Sequence, residues 1–150
     1  MAAYEFEVQT VLPRSLAVAR GAASRAGLAE TILELLDPVW TVLREQGLPF
    51  GHNVVVYPQG GLMNIDAGVE VFGPFQPSDQ VQPSTTPAGE AAMTVHWGDY
   101  ASLAEAHIAV GQWCQAHGRQ PAGPTWEVYG DWEDDPQRRR TDVYVLLSPA

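Results

Sequence analysis

Leu16-Ala17-Val18-Ala19-Arg20-Gly21, a helical stretch opening Leu28-Ala29-Glu30, then Val56-Tyr57 and Val69-Glu70-Val71 form one half of a pattern that the chain states twice. The second half runs Ala92-Met93-Thr94-Val95-His96-Trp97-Gly98, a helical stretch opening Leu103-Ala104-Glu105, then Val128-Tyr129 and Val143-Tyr144-Val145. The copies are offset by about 77 residues at Gly21/Gly98, about 75 at Leu28/Leu103, about 72 at Tyr57/Tyr129 and about 74 at the last strand. Such drift fits one helix being a turn longer than the other. A solenoid needs three or more units. Two copies predict one pseudo-twofold domain over 1–150, with repeat 1 over about 1–75, a proline-rich connector over 74–89 and repeat 2 over about 90–150. The seam where the halves meet is the natural place for a ligand.

Around this core the patterns are clear. Tyr4 to Gln9 alternates large apolar with polar residues and predicts a half-buried strand. Leu28, Ile32, Leu35, Leu36, Val39, Val42 and Leu43 fall on one helical face. Asp37-Pro38 is expected to kink or restart that helix. Strands are expected over Leu16–Arg20, His52–Tyr57, Gly68–Phe72, Glu90–His96, Thr125–Asp131 and Asp142–Leu147. Leu103, His107, Val110 and Cys114 stripe the second helix, with Asp99 or Ser102 as its cap and Ser102/Glu105 as a capping box. The connector reads as lacking an element of its own. The fold class is therefore α+β: a duplicated β-α-β-β unit, an eight-stranded mostly antiparallel sheet, two helices on one face and a ligand groove between the halves.

Eighteen acidic residues against eight arginines, with no lysine, give a net charge of −10. Such a surface repels phosphate backbones, so direct nucleic-acid binding is not expected. Cys114 is the single cysteine, which excludes a disulfide framework. His52, His96, His107 and His117 show no metal-ligand spacing, so no metal or cofactor is expected. The start, Met1-Ala2-Ala3-Tyr4, lacks a signal-peptide pattern, and no apolar run reaches membrane-spanning length. A cytoplasmic protein without membrane contact is expected.

Thr125-Trp126-Glu127-Val128-Tyr129-Gly130-Asp131-Trp132 is the sharpest chemical segment. Its match in the first copy is Val54-Val55-Val56-Tyr57, so the tyrosine repeats while Glu127 stands where the first half has Val55. A carboxylate in mid-strand is costly unless paired or hydrated. Glu70 is a second mid-strand carboxylate, expected nearer the rim. If the helices cover the valines, then Glu127, Tyr129, Glu70, Phe72 and Tyr144 share the helix-free face, with Trp126 toward the helices. Tyr57, Trp97 and Tyr100 complete the candidate binding set. Aromatic rings around a carboxylate suit a flat organic cation. His96 reads as a hydrogen-bonded structural residue, and Arg138-Arg139-Arg140 as a solvated hairpin tip.

The two-copy layout, His96-Trp97-Gly98-Asp99-Tyr100 before the second helix and Trp126-Glu127-Val128-Tyr129 in the seventh strand resemble the GyrI-like family. Its members also serve as effector-binding halves of some AraC-type and MerR-type regulators. The resemblance covers essentially the whole chain and implies a groove for lipophilic, often cationic compounds, with Glu127 meeting the ligand's charge. No helix-turn-helix region is read beside the domain, so a stand-alone member is expected. Some members inhibit gyrase and others hydrolyse cyclopropane-bearing alkylating compounds. Three functions follow. The first is a binder of lipophilic cations, for sensing or sequestration. The second is a hydrolase in which Glu127 activates water and Tyr129 or Tyr57 gives a proton. The third is a protein-interaction module whose acidic surface mimics DNA.

Overall fold

The computed structural model describes residues 4–149; the first three residues of the start read above lie outside them. The elements in chain order are β1 (Phe6–Val11), β2 (Ser15–Gly21), α1 (Leu28–Gln46), β3 (Phe50–Tyr57), β4 (Ile65–Val71), β5 (Gln82–Thr85), β6 (Gly89–Trp97), α2 (Leu103–Ala116), β7 (Pro121–Tyr129) and β8 (Arg140–Leu147). They form an eight-stranded sheet in the order β1-β6-β8-β7-β3-β4-β2-β5. Every pairing is antiparallel. The outer strands cross between the halves: β1 of the first pairs with β6 of the second, and β5, from the connector, pairs with β2 of the first. They join at the centre through β3 and β7.

Three local expectations are corrected. The connector carries a strand, β5, because Gln82–Thr85 docks on the edge of β2; an edge strand tolerates proline that a central one does not. Helix α1 runs through Pro38 without interruption. The carbonyl of Asp37, the residue expected to cap a restarted helix, instead accepts from the Thr41 hydroxyl. The Ser102/Glu105 box does not form: Asp99 caps the turn ahead of α2 by accepting from the Ser102 amide, and the Ser102 side chain is used elsewhere. Gly47, with φ 61°, closes α1 in the left-handed conformation that glycine allows without strain.

Chain reach dictates how the sheet bends. β1 and β2 stand first and seventh in the sheet, so in a flat sheet they would lie roughly 29 Å apart. The link Leu12–Arg14 spans at most about 15 Å. The sheet must curl, and its helix-free face folds onto itself. There Leu16, Val18, Val54, Val56, Ala91, Met93, Trp126, Val128 and Tyr144 make one buried cluster. Trp126 stacks on Tyr144 with ring centroids 5.0 Å apart and planes 4° apart.

The helices sit on the opposite face. α1 packs chiefly on β2 and β4, and α2 on β6 and β8. The central pair, β3 and β7, therefore lies between the strands that the two helices cover.

Candidate functional site

Register decides which side chains of that pair lie on the helix-bearing face. Val55 pairs with Glu127 across β3–β7, and Glu127 with Val143 across β7–β8. Val55 belongs to the cluster under α1 and Val143 to the cluster under α2. Glu127 is therefore on the helix-bearing face, together with Tyr57 and Tyr129, which are each two residues along their strands.

Glu127 is only 3% exposed. Its Oε1 accepts from the Tyr57 hydroxyl at 3.0 Å and the Tyr129 hydroxyl at 2.6 Å. Its Oε2 lies 2.6 Å from His107 Nε2, on the sheet-facing side of α2. A buried carboxylate needs such partners, since each unmade bond costs about 1–3 kcal/mol. Burial first, and the Glu127 charge second, push the phenols of Tyr57 and Tyr129 well above their usual range. Both tyrosines therefore stay neutral and keep donating. Tyr100 meets Tyr129 edge to face at 5.4 Å, and the Arg139 guanidinium lies 3.9 Å over the ring of Trp132 and 5.7 Å over that of Tyr100. An aromatic row thus leads from the carboxylate to an arginine.

The structure brings Glu127, Tyr57, Tyr129 and Tyr100 together and leaves the other four expected residues away from Glu127. Glu70 pairs with Leu16 and so points to the helix-free side, where Arg14 lies 3.3 Å from its carboxylate. Tyr144 is buried on that side against Trp126. Phe72, just past β4, is exposed. Trp97 pairs with Arg140, whose guanidinium sits 5.8 Å from its ring, and lines a cavity of about 1070 Å³ with Arg14, His52, Asp142 and Tyr129, a cavity whose lining does not include Glu127.

The expected facing of Glu127 and Trp126 is thus inverted. The reason is that both faces of the sheet are buried, so valine marks neither: Val54, Val55 and Val56 are all buried in succession.

Two site residues were missed. His107 was read as part of an apolar stripe, but a polar residue among Leu103, Val110 and Cys114 in a half whose β7 carries a buried Glu was the available signal. Arg139 was read with the solvated tip, whereas it is half-buried on Trp132. His96 is structural as expected, with Nδ1 2.9 Å from the Tyr4 hydroxyl and Nε2 3.2 Å from Ser102 Oγ. Among the described residues, no group of three or more His, Cys, Asp or Glu side chains is placed to hold a metal ion. No helix there is long and apolar enough to cross a membrane.

The model of the GyrI-like small molecule binding domain matches residues 58–148 of this chain. Among solved structures, the C-terminal domain of EcmrR superposes with a TM-score of 0.84 at 17% identity, covering 99% of this chain and 100% of that one. A hydrolase from Listeria innocua gives 0.64 at 10% identity, over 96% and 92% of the two chains. SAV2435, in a structure bound to tetraphenylphosphonium, gives 0.58 at 11% identity, over 96% and 94%. At these identities the likeness shows a shared fold. No curated protein sequence matches significantly.

Proposed function

The chain belongs to the GyrI-like small molecule binding domain family, and on that footing we propose that a cleft over the β3–β7 seam binds lipophilic organic cations, with Glu127 as their counter-charge. One observation carries the reading: a carboxylate 3% exposed lies on the central β3–β7 pair, on the helix-bearing face of the sheet, held by two tyrosine hydroxyls and a histidine with a third tyrosine packed edge to face. A buried carboxylate in such surroundings rewards a desolvated cation that can stack on the rings. The fold shared with SAV2435, whose bound ligand is a lipophilic cation, adds support. The role that suits a module of this size is sensing or sequestration.

The test is titration with tetraphenylphosphonium against triphenylphosphine oxide, a neutral molecule of similar bulk. The cation should bind more tightly. Glu127→Gln keeps the shape of the side chain and should weaken cation binding roughly tenfold to a hundredfold, the low end of the cost of breaking a desolvated charge pair. Equal affinity for the neutral compound, or no loss in the variant, defeats the reading.

A second reading rests on the same four groups. With His107 and two neutral phenols each within 3.0 Å of the Glu127 carboxylate, the site has a base and proton donors gathered on one group, as water-activating chemistry requires. The fold shared with a hydrolase favours keeping it. Product release from strained, cyclopropane-bearing alkylating compounds would select the hydrolase, and binding without turnover the binder.

A further inference from the structure

The carboxylate assigned to a ligand's positive charge already has a partner that can carry one. His107 Nε2 is 2.6 Å from Glu127 Oε2, while Oε1 takes both tyrosine hydroxyls. The charged and titratable groups facing the His107 ring are Glu127 and Tyr129 from β7 and Tyr57 from β3; on its own helix Glu105 is exposed. The tyrosines do not ionise near neutrality, because burial and Glu127 hold both phenols high. Arg139, at the end of the aromatic row, keeps its charge at every relevant pH. Histidine is the group here whose charge changes between pH 5 and 8. Its side chain is 27% exposed, so its outer edge can exchange protons with solvent.

Resting on the reading above, we infer that His107 is a specificity-determining residue of this cleft: a bound cation and the His107 proton compete for Glu127, so cation binding releases a proton and tightens as pH rises. Neutral His107 still donates from Nε2 to the carboxylate and leaves the site one negative charge. Protonated His107 cancels that charge. Two positive charges about 5 Å apart at an effective dielectric near 20 disfavour double occupancy by roughly three hundredfold. Reciprocity follows: the cation must push the titration of His107 to lower pH by as much as the proton weakens the cation. Neutral ligands of the same size feel no such competition, so the ratio of cation to neutral affinity is itself set by pH.

The experiment uses the full chain and tetraphenylphosphonium, titrated by calorimetry between about pH 5.5 and pH 8 in buffers of different ionisation enthalpy. Wild type should release up to one proton per cation bound, and its affinity should fall by up to about tenfold per pH unit as the pH is lowered across this range. His107→Gln retains an amide donor for Glu127 and should bind with little pH dependence. The remaining histidines serve as internal controls: His52 pairs with Asp131, His96 with Tyr4 and Ser102, and His117 stacks on Trp113. Proton NMR of wild type gives an independent readout, in which the His107 ring midpoint should move down on saturation with the cation. Cation binding with neither proton release nor a His107 shift overturns the inference while leaving the binding function intact. A pH slope that persists in His107→Gln also overturns it. Absence of binding at every pH removes both.

Discussion

Val55→Glu tests the facing of the central seam. Val55 is fully buried and pairs directly with Glu127 on one side and Ala67 on the other. The substitution sets two carboxylates on facing positions of adjacent strands, with Cβ atoms about 5 Å apart. Two such charges cannot both ionise in a dry site, so the pair takes up a proton. Holding a carboxylic acid neutral at pH 7, when its unfolded value is about 4.3, costs about 3.7 kcal/mol. Forcing a longer side chain under α1 adds about 1–3 kcal/mol. Against a typical stability of about 5–15 kcal/mol, the variant stands near unfolding at pH 7. The sign of the pH dependence is fixed. The folded pKa is raised, so the penalty grows as pH rises above the unfolded value and fades toward pH 4. Relative to wild type, the variant should recover about 2.6 kcal/mol between pH 7 and pH 5. Urea unfolding at the two pH values measures this, with Val55→Gln as the uncharged control whose deficit stays flat. A deficit under about 1 kcal/mol at pH 7, or one that ignores pH, would refute both the burial of Val55 and its registration against Glu127.

Other substitutions probe separate parts of the molecule. Tyr57→Phe removes one donor from a buried carboxylate and should lower stability by about 1.5–3 kcal/mol in denaturant titrations, with the fold retained. Gly68→Ala would drive a methyl into the Ala17 carbonyl oxygen and Val18 Cγ1 on β2, where a backbone ladder cannot yield; thermal melts should show a loss above about 3 kcal/mol or no folded protein. Cys114 is buried under α2, and burial pushes its thiol upward, so a thiol reagent should label native protein slowly and denatured protein fast; Cys114→Ser should cost about 1–3 kcal/mol by burying a hydroxyl.

Repetition and period carried most of the fold into the sequence. The offset copies Leu28/Leu103 and Tyr57/Tyr129 correspond to α1/α2 and β3/β7, and the antiparallel sheet follows from them. Alternation also put Glu127 and Tyr129 on one face of β7. It could not say which face carried the helices. That choice depends on the curl forced by the short β1–β2 link, a long-range consequence of sheet order rather than of any local pattern. Once both faces are buried, Val69 and Val128 look alike in sequence although they lie on opposite sides. The wrong facing therefore fell on Glu127, Tyr129 and Trp126, while Glu70 and Tyr144 do lie on the helix-free face and so stand apart from Glu127. β5 escaped because its contribution is made by edge pairing, which Pro83 and the polar side chains of Gln82–Thr85 do not advertise.

The asymmetry of the seam has a physical logic of its own. At the same offsets that relate the copies, Glu127 answers to Val55 and His107 to Ile32, while Tyr129 answers to Tyr57. One half thus holds an apolar strand–helix couple and the other a hydrogen-bonded one. Changing either member alone strands a buried polar group, against a cost of about 1–3 kcal/mol. Glu127 and His107 are therefore energetically a unit, and the repeated tyrosines serve it from both sides, Tyr57 across the seam and Tyr129 along the strand. A duplicated scaffold supplies two equivalent walls; Glu127 and His107 on one wall, where the other has Val55 and Ile32, make the two walls unequal in polarity. On the proposed reading, a ligand entering between α1 and α2 would have the half holding Ile32 and Val55 on one side and the half holding His107 and Glu127 on the other. An elongated amphipathic cation therefore has one orientation in which its charge and its apolar body are both satisfied, and the reversed orientation leaves the charge against valine.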